Sequence, residues 1–294
     1  MGFQGFKSFY RRLPLVRDLY RVYDAINLLS NTQRLALAAS QAEVATVLKA
    51  VDPRTKEPQS LLPFEYSVYS QNGEDGIIDE ILRRIGPTNR VFCELGAGSG
   101  LENCTVFLLT QGWTGFWLDG SSEFLETLRA ASPETRDRVQ CEVSYLTPAN
   151  VAQLLESIGV PKNLDVLSID IDHNTFYIWQ ALKHFFPRVV VVEYNAIMPS
   201  HVNWKVSYSP STRWDRSHNF GASLKALEML GRELGYSLVG TDFTGTNAFF
   251  VRDELAVGKF SEPFTSEHHY QPYRPWLAAK RHFKTSMLDA TNNG

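Results

Sequence analysis

Three carboxylates close two apolar runs in the second half of this chain. Asp170 and Asp172 end Leu167-Ser-Ile-Asp-Ile-Asp172, and Glu193 ends Val190-Val-Val-Glu-Tyr194. Acids brought together in this way have three uses. They can hold a hard, oxygen-preferring cation such as Mg²⁺, which lowers the pKa of a bound hydroxyl. Without a metal they raise one another's pKa, so that a carboxylate becomes a general base. They can also be purely structural. His173 follows directly and adds an imidazole that titrates near neutrality, which makes it the favoured base in the metal-free case. A second constellation lies upstream, in Val91-Phe-Cys-Glu-Leu-Gly-Ala-Gly-Ser-Gly100 followed by Asp119. Glycines at 96 and 98 let the backbone turn tightly and lie close to a ligand. An acid roughly 20 residues further on is placed to hold ribose hydroxyls. Together the two constellations suggest a nucleoside-containing ligand beside a site of proton removal.

Both need a scaffold that gathers strand ends. From residue 64 onward the pattern alternates between helix and strand. Helices are expected at 74–85, 102–111, 122–131, 148–158, 174–185 and 221–234. Strands are expected at 90–95, 115–119, 138–143, 165–170 and 188–194, followed by a hairpin of 236–241 and 246–251 around Asp242-Phe-Thr-Gly245. Strands alternating with helices require parallel pairing and right-handed crossovers. In such a sheet, ligands sit beyond the C-terminal strand ends, where all the acids above fall. Residues 1–50 read as helical, with Pro14 as a break and 33–50 as a separate second helix; Pro53 and the stretch Pro58 to Pro63 mark a linker. The expected organisation is a helical region over 1–60, an α/β domain over 61–260 and an extension over 261–294.

These segments resemble the class I S-adenosylmethionine-dependent methyltransferases, and within them the FkbM-like group. The resemblance covers roughly residues 65–255. It rests on Ser70-Gln-Asn-Gly-Glu-Asp-Gly76, Phe92-Cys-Glu-Leu-Gly-Ala-Gly98, Gly112-Trp-Thr-Gly-Phe-Trp-Leu-Asp119, Leu167-Ser-Ile-Asp-Ile-Asp172, Val190-Val-Val-Glu-Tyr194 and Gly245-Thr-Asn-Ala-Phe-Phe250, in that order. It implies a Rossmann-like methyltransferase fold: a mainly parallel seven-stranded sheet with an antiparallel edge hairpin, here with an N-terminal helical appendage. It also implies S-adenosylmethionine as cofactor. Two details agree. Gly100 comes one residue too early for the G-x-G-x-x-G of a pyrophosphate-binding loop. Glu94 adds an acid that suits a cationic ligand or the N–H groups of the loop. One departure is His173, where relatives often carry glycine.

The resemblance places Glu94, Gly96, Gly98 and Asp119 at the cofactor, and Ser144, after the third strand, at the adenine. Gln71, Gly73, Glu74 and Asp75 either fold over the cofactor or cap the first helix of the domain. The 26-residue stretch 195–220 is longer than an ordinary connection and is the expected acceptor-binding insertion. It contributes Asn195, His201, Trp204, Tyr208, Arg213, Trp214, Arg216 and His218, whose aromatic faces and polar groups suit sugar rings; packing of the insertion onto the sheet is the plainer alternative. Asn247 either reaches the site from the hairpin or stabilises its turn.

Composition bounds the rest. The chain has 294 residues, a net charge of −3, and 44% hydrophobic and 21% charged residues, as a globular protein with one large core should. The part after residue 60 is net acidic and has no basic stripe, which argues against a nucleic-acid partner. Residues 1–34 carry six basic against two acidic side chains. The basic and aromatic residues of 3–23 suit a peripheral membrane contact, or a helix packed on the domain or on a second subunit; Leu35, Leu37, Val44, Val47 and Leu48 suit a homo-oligomer interface. Cys93, Cys104 and Cys141 read as reduced core thiols, in keeping with a cytoplasmic protein, which a membrane contact through residues 3–23 would make peripheral to the inner face of the membrane. The function expected from the resemblance is O-methylation of a sugar or glycan hydroxyl in polysaccharide or glycolipid biosynthesis. The alternatives are methylation of a small natural product and a non-catalytic cofactor-binding subunit.

Overall fold

Short apolar runs separated by amphipathic helices assemble into one seven-stranded sheet. In the computed structural model the strands are β1 (Val91–Leu95), β2 (Thr114–Asp119), β3 (Val139–Val143), β4 (Val166–Ile169), β5 (Val189–Glu193), β6 (Tyr236–Thr241) and β7 (Asn247–Arg252), in the order β3-β2-β1-β4-β5-β7-β6. The first five pair in parallel, and β7 runs antiparallel to both β5 and β6. This is the Rossmann-like methyltransferase arrangement. The structure describes residues 14–210 and 217–277; side chains of the first helix are described from Leu28 on, apart from those at 31, 34 and 35.

The sheet is buried on both faces, as parallel sheets are. One face packs Cys93, Leu95, Leu167, Ile169, Val190 and Val192 against the helices Val151–Ser157, Thr175–Ala181 and Leu224–Leu234. The other packs Phe92, Trp117, Val166, Val189 and Val191 against Glu74–Ile85, Val106–Thr110 and Glu123–Ala130. Because side chains alternate along a strand, Glu94, Asp170 and Glu193 all fall on this second face, at its C-terminal edge. The register pairs Ile169 with Val192 and Glu193 with Asn247, so the strand ends carrying Asp170, Glu193 and Asn247 are adjacent.

Two expectations need correction. Pro14–Val51 is one continuous helix of 38 residues and not two; Pro14 stands at its first position, where proline is tolerated, and no proline or glycine interrupts the rest. The helix expected over 102–111 is confined to Val106–Thr110. The described residues divide between 48 and 49 into two units. Among the described residues, no helix is long and apolar enough to cross a membrane. In the larger unit, residues 266–274 strap the β5 end and the hairpin. Tyr194 donates to the Gln271 carbonyl at 2.7 Å, Thr241 to the His269 carbonyl at 2.6 Å, and an Arg274 guanidinium nitrogen to the Phe243 carbonyl at 2.7 Å.

Candidate functional site

The loop after β1 is shaped by what lies under it. Gly96 has φ +94°, and a Cβ there would sit 1.6 Å from the Asp170 carbonyl oxygen, so only glycine fits. Gly98 also has positive φ, at +55°, but nothing lies within 4 Å of the Cβ it lacks; its bare backbone faces open space. The Gly98 N–H donates to Asp119 Oδ2 at 2.9 Å, and the Ser121 N–H to Asp119 Oδ1 at 2.7 Å. A carboxylate has about four acceptor sites, so Asp119 keeps capacity for ribose hydroxyls. Ser144, half-buried, donates its N–H to the Asp119 carbonyl at 2.9 Å, which sets the β3 end beside the β2 end.

Glu94 is placed differently from the role of a direct ligand. It is buried and accepts from Asn103 Nδ2, the Cys104 N–H, the Thr105 N–H and Thr105 Oγ1 at 2.5–3.2 Å. Burial pushes its pKa up, against donors that favour the charged form. Glu94 therefore ties down residues 103–105, which is why the helix begins only at Val106. Trp117 extends this anchor by donating its indole N–H to Thr105 Oγ1 at 2.8 Å.

Glu74 and Asp75 are likewise buried and internally engaged. Asp75 Oδ2 accepts the N–H groups of Val68, Tyr69 and Ser70 at 2.6–3.0 Å, fixing the loop that precedes its helix. Glu74 accepts from Asn72 and, at 2.7 Å, from Asn247 Nδ2. Gly73 stands at the N-cap without a side-chain cap, so the two acids hold the loop before the helix instead of capping it, and Asn247 links the hairpin to this loop. Gln71 is exposed and donates to Glu102 at 2.9 Å, so the loop before the helix Glu74–Ile85 meets the loop after β1.

Asp170, Asp172 and Glu193 converge. Each offers a carboxylate oxygen, and these oxygens lie within 4.8 Å of one another. Asp170 and Glu193 are within hydrogen-bonding reach, and both pKa values are raised. Asp170 and Asp172 reach the surface and Glu193 is half-buried; Asp170 rises to about 7 through desolvation by the protein packed around its carboxyl and the charges of Asp172 and Glu94, and Glu193 rises through desolvation and the charges of Asp170 and Asp172. Glu193 Oε2 is buried without a hydrogen-bond partner. The pKa of Asp172 is raised by burial and by Asp119, which puts the cluster within the field of the ribose candidate. Asp172 has φ +60°, a left-handed conformation that aspartate tolerates better than most residues. His173 is buried and forms no hydrogen bond to the three acids.

The insertion is folded back on itself and clipped beside this cluster. Lys205 bridges Ala222 in antiparallel fashion, and the Asn174 side chain donates to the Ser209 carbonyl at 2.7 Å. Asn195 is fully buried; its amide donates to the carbonyls of His218 and Phe220 at 2.8 and 3.0 Å, so it braces the insertion and presents nothing to a ligand. His201, Tyr208 and His218 are exposed and Trp204 is half-buried. Tyr208 packs edge-on against Tyr177, with centroids 5.4 Å apart. Arg213, Trp214 and Arg216 lie outside the described residues, as do residues 3–13 and the side chains of 14–23 in the basic N-terminal stretch. Asn103, Thr105 and Asn174 position the site, and no motif in the sequence marks them. Their only signal there is a polar side chain 9 or 11 residues beyond Glu94, or two beyond Asp172.

No protein-family model matches the chain, and no curated protein matches its sequence. Among solved structures, the chain is similar to the glycopeptide N-methyltransferase MtfA, with 15% identity and a TM-score of 0.37 over 63% of this chain and 92% of that one. It is similar to an O-methyltransferase family protein from Burkholderia thailandensis, with 12% identity and a TM-score of 0.37 over 61% of this chain and 58% of that one. It is similar to the CcbJ methyltransferase from Streptomyces caelestis, with 12% identity and a TM-score of 0.40 over 62% of this chain and 90% of that one. At these scores the likeness assigns no activity, cofactor or substrate, and the fold rests on strand order and register.

Proposed function

We propose that the chain is an S-adenosylmethionine-dependent O-methyltransferase whose acceptor is a sugar or glycan hydroxyl. The observation that carries this reading is the acidic edge of the sheet, where the bare Gly98 backbone, Asp119 and the Asp170–Asp172–Glu193 cluster meet. Among the described residues, no Lys or Arg forms an ion pair with these four acids. A dinucleotide would bring phosphate charge into this field, whereas a sulfonium and an ammonium bring the opposite sign. Methyl transfer removes the sulfonium charge, so the acidic edge holds the reactant more strongly than the product and favours product release.

Transfer to oxygen needs in-line placement and a destination for the acceptor proton. The sulfonium is already a strong leaving group. The raised carboxyl pair of Asp170 and Glu193 supplies a base near neutral pH. His173 is the other candidate, and its burial beside Asp172 requires the acceptor to reach inward. The three carboxylates also fit a divalent cation such as Mg²⁺: the donor set is all oxygen, and Glu193 Oε2 lacks a partner. Asp170, Asp172 and Glu193 would hold the ion, which lowers the pKa of a bound hydroxyl. The insertion borders this cluster through Asn174 and Ser209 and offers Trp204 and Tyr208 as aromatic faces for a sugar ring. A small natural product is the second acceptor class, favoured by the apolar surface of Ile197 and Tyr208, 38% and 42% exposed.

Calorimetry with S-adenosylmethionine and S-adenosylhomocysteine, in Mg²⁺ and then in EDTA, tests the cofactor assignment. Binding in the micromolar range, tighter for the sulfonium form, is expected. No binding in either buffer overturns the reading. Methyl transfer to a glycan panel, run beside a panel of phenolic natural products, then separates the two acceptor classes.

A further inference from the structure

The helix Pro14–Val51 carries an apolar seam that faces solvent. Leu37, Val44, Val47 and Val51 are 60%, 43%, 62% and 71% exposed. With exposed Ser40 between them, they follow one another at steps of three and four: 37, 40, 44, 47, 51. Gln33 and Ser30 extend the steps toward the N-terminus, and in the sequence Ile26, Tyr23, Leu19 and Val16 continue them. Alternating steps of three and four make the 3.5-residue repeat of a coiled-coil seam. A helix that bridges solvent alone is normally polar all round. From Ala25 to Val51 this one has only Arg34, Glu43 and Lys49 as charged residues.

We infer that two copies of this chain associate through the seam as a two-stranded coiled coil. The length is adequate. The helix has 38 residues; at 1.5 Å per residue that is about 57 Å, and two facing strips about 10 Å wide bury roughly 1,100 Å², near the lower end for a specific interface. The seam's composition favours a second copy over lipid. Gln33 and Ser40 would be unpartnered polar groups against acyl chains, but they can hydrogen-bond across a helix pair and fix its register. The e and g flanks of the seam from residue 34 on carry Arg34, Ala36, Gln41, Glu43, Leu48 and Ala50, so one base and one acid are the only charges there to act on an identical helix.

The test is the mass of the full chain by light scattering over a range of concentrations. The wild type should weigh twice the 33.3 kDa of one chain. A double variant, Leu37→Glu with Val44→Glu, should weigh one chain, with dimer dissociation raised about 100-fold or more because charge is buried in the seam. A control on another face, Ala39→Glu with Thr46→Glu, should remain dimeric, and the thermal transition of the sheet domain should be the same in all three. A wild type that is monomeric throughout, or a seam variant that stays dimeric, overturns the inference. Flotation of a monomeric wild type with anionic vesicles would overturn it too, by assigning the helix to a membrane surface.

Discussion

Asp119 links the glycine loop to whatever the loop receives. Its two oxygens hold the N–H groups of Gly98 and Ser121 and retain lone pairs for a diol. Asp119→Ala should weaken S-adenosylmethionine binding by about 10- to 100-fold, the loss of one or two hydrogen bonds to a charged group, with circular dichroism unchanged. Unaltered affinity in calorimetry would remove Asp119 as the ribose ligand. Under the proposed function, Asp170 acts on the other reactant. Asp170→Asn keeps the shape but takes one negative charge from the cluster, and methyl transfer should fall by about 100-fold or more while cofactor affinity changes little. Full activity would dismiss the acidic centre. The sequence places both residues correctly at strand ends, because an acid that closes an apolar run is visible without a structure. It cannot tell a presented acid from an internally bonded one. Glu94, Glu74 and Asp75 look equally available in the sequence, but backbone and side-chain donors from the adjoining loops, and for Glu74 also Asn247 from the hairpin, occupy them.

The elements follow the same division. Strands and helices with clear periodicity lie near their expected positions, because period two and period 3.6 are local properties. The helix after β1 is shorter than its composition suggests, because Glu94 holds residues 103–105 in a non-helical turn. That contact can be tested. Glu94→Gln turns an amide nitrogen toward groups that are all donors, and it should destabilise the domain by about 1–3 kcal/mol in urea unfolding. Cofactor affinity should fall as well, because the turn anchored there continues from the Gly98 loop. Unchanged stability would show that the turn holds itself. Residues 195–220 show the opposite limit. The sequence marks an insertion, but Asn195, expected at a ligand, is the brace that closes it.

For the molecule as a whole, the strand order is legible because parallel alternation with a terminal hairpin leaves few topologies. The strap over the hairpin is not, since residues 266–274 carry no periodic pattern. The strap brings in a pH dependence. His269, within the strap, is buried with Nε2 unpartnered; burial, then the charges of His268 and Arg54, push its pKa down to about 3. An unfolded imidazole titrates near 6.5. Between those values the unfolded chain holds a proton that the folded chain does not, so stability falls as pH drops from 6.5 toward 3, by up to about 1.4 kcal/mol per unit. His269→Leu should lose this slope and gain on the wild type as pH is lowered from 7 to 4 in chemical denaturation; parallel profiles would place the proton elsewhere. The contact between Gly96 and the Asp170 carbonyl has a consequence for redesign. The glycine loop and the acidic cluster touch backbone to backbone, with no side chain between them to absorb a misfit. They should therefore be inherited or transplanted as one cassette, whereas the exposed surface of the insertion, held on by Asn174 and Asn195, is the part that can be exchanged to change the acceptor.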